Sequence, residues 1–81
     1  MINSLVSMRQ ILISHLKKSS CLKLSDYYGL INLWIESLIE FGFSAQEIKI
    51  QLNIIHSAFN ENETIQTSIK FFLLNSKRLN D

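Results

Sequence analysis

No proline interrupts this chain of 81 residues, and only Gly29 and Gly42 loosen its backbone. Proline removes a rung of the helical hydrogen-bond ladder, and glycine lowers helix propensity by about 1 kcal/mol. A chain that avoids both favours helices. The fold expected is all-α, a single domain of three to four helices over residues 1–81. Its helices form antiparallel hairpins that assemble into a dimeric helical bundle.

The apolar spacing divides the chain into four helical segments. Leu5, Met8, Leu12 and Leu16 recur at intervals of three and four, so they share one face of a first helix running from about Ser4 to Lys18. Lys17 and Lys18 sit in its last turn, where cations favour the negative end of the helix dipole. Ser19 and Ser20 interrupt the pattern, and Leu22 and Leu24 precede the next start signal. Ser25 or Asp26 can cap a second helix that carries Tyr27, Ile31, Trp34, Ile35, Leu38 and Phe41 on one side. Leu30 and Leu33 widen that stripe, and Gly42 ends it.

The link Phe41-Gly42-Phe43-Ser44 is short, so the next helix should pack back as a neighbour. Ser44 and Glu47 have the S-x-x-E spacing of a capping box, a specific start signal. The third helix runs to about Phe59. The polar run Asn60-Glu61-Asn62-Glu63 reads as a loop, with Asn60 and Glu63, or Asn62 alone, capping a fourth helix. Ile65, Ile69, Phe72 and Leu73 form the inner face of that helix, and Lys77 and Arg78 close it.

The third helix carries too much apolar surface for one neighbour. At 100° per residue, Ile48, Leu52, Ile55 and Phe59 fall within about 60° of one another. Ile50, Ile54 and Ala58 extend the apolar arc to roughly 200°, about twice an ordinary core-facing stripe. On the fourth helix, Phe71 and Leu74 project away from the Ile65-Ile69-Phe72 stripe. Leaving such side chains in water forfeits about 1.5–3 kcal/mol each. Either one subunit encloses both sides of its third helix, or the second side is covered by a twin or a partner. A domain of this size buries only about 60% of its unfolded surface, while 47% of its residues are hydrophobic. The second reading is therefore preferred, and Ile50, Ile54, Ala58, Phe71 and Leu74 are the expected interface.

Charge and cysteine content narrow the setting. The net charge is +1, too balanced for a strong long-range pull on nucleic acid or membrane. Cys21 is the single cysteine, which fits a reducing cytoplasm. Lys17, Lys18 and Lys23 lie close enough in sequence to activate its thiol, but an inert thiol is the simpler reading. The first residues lack the pattern of a secretory signal, because Arg9 follows the apolar residues instead of preceding them. Tyr27 to Phe43 is the most apolar stretch, but Glu36 and Glu40 interrupt it, so no membrane span is expected.

The chemistry of an enzyme is not apparent. His15 and His56 fall on different helices with no acidic residue three or four positions away to orient them. No C-x-x-C or H-x₃-H spacing marks a metal site, and no glycine-rich loop or G-x-S-x-G elbow occurs. No catalytic residue, metal, cofactor or small-molecule substrate is expected. Glu36 and Glu40 are read as the solvated edge of the second helix. His56 beside the apolar stripe is read as a half-buried packing residue, with a pH-sensitive interface role as the alternative.

The second helix, tight link and third helix could imitate a helix-turn-helix that presents Gln46, Lys49, Asn53 and Ser57. Such residues can read base edges, but phosphate anchoring needs several cations and this helix has one lysine. Lys17, Lys18, Lys23, Lys77 and Arg78 could make weak, salt-sensitive contact with DNA if a dimer brought them together.

Lys18-Ser19-Ser20, Leu24, Leu38-Ile39, Gly42, Ile50, Leu52, Ile55-His56-Ser57, Ile69 and Leu74 form a pattern from Lys18 to Leu74. It resembles the AriR-type connectors of enterobacterial two-component systems, regulators of biofilm formation and acid resistance. Phe43 and Ser44 stand where that family has a more polar link, and its acidic run before the second helix is reduced to Asp26. The resemblance implies a small helical homodimer that docks on a signalling protein (a kinase, phosphotransfer protein or response regulator) and tunes a phosphorelay. DNA contact has been suggested for the family; it has no catalytic residues or cofactors to carry over. Two other functions fit the residues: a chaperone or immunity-type protein that masks one secretion subunit or toxin, and a minimal DNA-binding regulator.

Overall fold

Helix-start chemistry and apolar periodicity place five helices among the described residues of the computed structural model, which are 2–19 and 23–80. They are α1 (Ile2–Lys18), α2 (Leu24–Glu40), α3 (Ala45–Ala58), α4 (Glu63–Asn75) and α5 (Lys77–Asn80), and no strand occurs among these residues. Ser20, Cys21 with its thiol, and Leu22 lie outside the described residues.

The first two helices form an antiparallel hairpin. Tyr27 donates its hydroxyl to the Ser19 carbonyl at 2.8 Å, and the Trp34 indole N–H donates to the Met8 carbonyl at 3.1 Å. Later residues of α2 therefore meet earlier residues of α1. The start of α2 differs from the expectation. Neither Ser25 nor Asp26 is its cap: the extended Lys23 (φ −77°, ψ 162°) precedes a helix that begins at Leu24. Asp26 acts from the third helical position, where its Oδ2 accepts the Lys23 backbone N–H at 3.0 Å.

The link after α2 is a Schellman motif. The Gly42 N–H donates to the Ile39 carbonyl at 3.0 Å, and the Phe43 N–H donates to the Leu38 carbonyl at 3.1 Å. Gly42 has φ +93°, the left-handed region that glycine enters without a Cβ penalty. The turn corrects the reading of Phe41. Phe41 was expected in the inner stripe, but the helix has ended there and its ring is 68% exposed. The chain reverses at Gly42, and Phe43 is only 6% exposed. Ser44 and Glu47 then form the capping box: the Glu47 N–H donates to Ser44 Oγ at 3.2 Å, and the Ser44 N–H donates to Glu47 Oε1 at 3.1 Å.

The short link does not lay α3 along α2. The two helices meet sparingly, whereas α4 packs extensively against both and α1 braces both from another side. Ile31, Ile35 and Leu38 on α2, Ile48, Leu52 and Ile55 on α3, and Ile65 and Ile69 on α4 are completely enclosed. Ser68, also enclosed, donates its hydroxyl back to the Thr64 carbonyl at 3.2 Å and so needs no partner across the core. Asn62, not Asn60, caps α4, accepting the Ile65 N–H on Oδ1 at 3.1 Å.

Lys77 and Arg78 do not close α4. The helix stops at Ser76, whose extended backbone (φ −70°, ψ 119°) sets α5 off as a separate turn against α3 and α4. That turn buries Leu79 and lets the Arg78 guanidinium pair with the Glu36 carboxylate on α2.

Candidate functional site

Ile50, Ile54 and Ala58 all remain exposed on α3, and so do Phe71 and Leu74 on α4. Incomplete packing does not account for this. A folded chain of this mass exposes about 5,000 Å², and this one exposes 5246 Å². The chain is as compact as its mass predicts, and these apolar groups stay outside its core.

They do not form one surface. Lys49, Asn53 and His56 line a groove together with Gln66 and Lys70 of α4, so the flank of α3 that carries His56 turns toward α4. Arg9 donates to Gln51 at 2.7 Å, so the other flank turns toward α1. On a helical wheel, Ile54 and Ala58 fall on the Gln51 side, and Ile50 lies on the outward face. The apolar ridge of α3 is therefore separated from α4 by the Lys49-Asn53-His56 flank. The five expected interface residues are thus divided between a ridge on α3 and the outer side of α4.

The face on α4 joins α2. The Phe71 ring lies 5.1 Å from the Tyr28 ring and 5.3 Å edge-on from the Phe72 ring, both favourable aromatic spacings. Tyr28, Phe71, Leu74 and Lys70 border a shallow groove between these helices. On the other side of α4 runs a larger open groove of about 660 Å³. Lys49, Asn53 and His56 form its α3 wall, and Gln66, Lys70 and Leu73 contribute to its α4 wall. His56 is half-buried there, while His15 is exposed on α1. The residues posed as a recognition helix are thus divided: Lys49 and Asn53 face this groove, and Gln46 and Ser57 are exposed beyond it.

The inner stripe read for the second helix included Leu33, which the structure places in solvent like Phe41, and the exposure of Ile11 on α1 was not read at all. Ile11 on α1, Leu33 on α2 and Phe41 are all more than half exposed. For Leu33 a signal was present, because two residues after Ile31 lies about 200° around the helix, on the side away from the core.

The five cations considered for nucleic acid fall into two places. Lys17, Lys18 and Lys23 lie at the end of the α1–α2 hairpin, which the Tyr27–Ser19 bond closes. Arg78 is bound at Glu36, thirteen residues further along α2, about 20 Å away, with Lys77 beside it. Among the described residues, no three His, Cys, Asp or Glu side chains are grouped to hold a metal ion, and no helix is long and apolar enough to cross a membrane. Compared with known proteins, the chain matches no family model, no curated protein and no solved structure.

Proposed function

We propose that this chain is a non-enzymatic cytoplasmic adaptor that forms a homodimer and uses a separate face to bind a signalling protein. One observation carries the reading: two sets of apolar side chains stay exposed outside the core, Ile50-Ile54-Ala58 on α3 and Phe71-Leu74 on α4. Exposed apolar clusters of this kind mark protein–protein contact surfaces. Two faces on different sides suit a protein that pairs with itself and still engages a partner. The resemblance to connectors of a two-component phosphorelay names the class of partner: a kinase, phosphotransfer protein or response regulator, in the control of biofilm formation and acid resistance.

Direct DNA binding is the weaker function, because the two basic clusters sit apart on one subunit and Arg78 is already neutralised by Glu36. Sedimentation equilibrium across a wide concentration range tests the adaptor reading. A two-fold mass at micromolar concentration is expected. A chain that stays monomeric at millimolar concentration removes its basis.

A further inference from the structure

The open groove of about 660 Å³ between α3 and α4 has two unlike ends. The Gln66 side-chain amide donates to the His56 carbonyl at 3.0 Å, so these two residues stand level across it. The chain reverses in the loop between the helices, so residues before His56 and residues after Gln66 lie toward the same end. Lys49 comes about two turns before His56 on α3, and Lys70 about one turn after Gln66 on α4. The two lysines therefore approach one end of the groove from opposite walls. Leu73 and Leu74 lie at that end too, the first half-buried and the second 65% exposed.

Glu63 is the one carboxylate lining the groove, and it sits at the loop end. It precedes Lys70 by seven residues, about 10 Å along the helix. Physiological salt screens charges in solvent over about 8 Å, so Glu63 does little to neutralise the lysine end. The only ion pair among the described residues joins Arg78 to Glu36, and no described carboxylate pairs with Lys49 or Lys70. Asn53 lines the same groove and adds amide donors. This end thus offers cationic and amide donors beside an apolar shelf, and lacks the carboxylates that would complement them.

We propose that this groove receives an acidic amphipathic helix of the partner protein, with its carboxylates between Lys49 and Lys70 and an apolar side chain on Leu73 and Leu74. A furrow between two neighbouring helices is a seat for a third. A small anion fits less well. Sites for small molecules enclose most of the ligand, whereas Asn53, Thr67 and Lys70 are exposed here and leave a lone carboxylate in water. A helix draws instead on the whole length of the groove. The inference rests on the adaptor reading and deepens it by naming the chemistry of the partner at the groove that Leu74 borders.

A defined probe tests this on the full chain. It is an amphipathic peptide of about three helical turns, with leucines along one stripe and glutamates beside it. Its control carries glutamine in place of every glutamate. Amide chemical shifts of the isotope-labelled chain are expected to move at Lys49, Asn53, Lys70 and Leu73, with a dissociation constant below about 1 mM. The control peptide binds about three- to tenfold more weakly, and so does the glutamate peptide to a variant carrying Lys49→Gln with Lys70→Gln, as the loss of two solvated ion pairs requires. Glu63→Gln, at the far end, changes binding by less than about twofold. Circular dichroism verifies that each variant is folded. Equal binding of the two peptides, a larger effect at Glu63 than at the lysines, or no shift anywhere overturns the groove assignment. Shifts confined to Ile50, Ile54 and Ala58 also overturn it, but leave the adaptor reading standing with its partner on the α3 ridge. Sedimentation of the natural chain judges the homodimer separately.

Discussion

Arg9 on α1 donates from Nη1 to Oε1 of Gln51 on α3 at 2.7 Å, joining residues 42 apart in sequence. The Arg9 Nε is buried without an acceptor among the described residues, so this amide carries the guanidinium's main contact between the helices. Gln51→Leu is expected to cost about 1–3 kcal/mol, because it strands a half-buried cation. Arg9→Met combined with Gln51→Leu is expected to recover most of that loss, since both polar groups leave together. Urea unfolding of the two single variants and the double variant gives the coupling; simple additivity would show that the contact holds nothing.

The two glycines respond in opposite directions. Gly42 lies at φ +93° with open space around its Cβ position, so Gly42→Ala meets only backbone strain, about 1–2 kcal/mol. Gly29 sits within α2 with nothing within 4 Å of an added methyl, and Gly29→Ala is expected to stabilise by about 0.5–1 kcal/mol. Thermal melts at low protein concentration, where pairing does not contribute, compare them. Equal shifts would contradict the turn geometry.

Leu79 anchors α5, and Arg78 does not. Leu79 is buried against its neighbours, so Leu79→Ala is expected to cost about 2–4 kcal/mol. Arg78 and Glu36 are both more than a third exposed, and solvent screening holds Arg78→Ala to under about 1 kcal/mol. Chemical denaturation separates the two, and a larger effect at Arg78 would mean that the ion pair does more than solvated pairs do.

Adjacent isoleucines on α3 have different roles. Ile55 is completely enclosed, and Ile55→Asp buries a carboxylate without a partner and unfolds the chain. Ile54→Asp places the same group in water, and its melting temperature stays within a few degrees of the natural chain. Circular dichroism against temperature distinguishes them. Unfolding by Ile54→Asp would show that its face is needed within the subunit.

Local chemistry was readable from the residues, and three-dimensional arrangement was not. Ser44 with Glu47 and Asn62 before Ile65 announce their helices because a cap needs only a few adjacent residues. The exchange of Phe41 for Phe43 turns on where α2 stops, and helix ends are uncertain by a residue or two in any pattern. Leu79 was hidden because a break at Ser76 leaves no strong signal: serine is not a helix stop of the rank of proline or glycine. The exposed interface residues were recognisable one by one from their wheel positions. Their division into two faces was not, because it depends on which flank of α3 receives α4, and periodicity within one helix says nothing of its neighbours.

The sparing contact between α2 and α3 bears on how the protein comes to be folded. During synthesis from the amino end, the α1–α2 hairpin and α3 emerge before the helix that joins them. Until Glu63 to Asn75 are made, the inner side chains Ile35, Ile48 and Ile55 lack the α4 surface that closes the core. The core can close only once α4 is present, and a chain ending at the Asn60–Asn62 loop leaves those isoleucines without their cover.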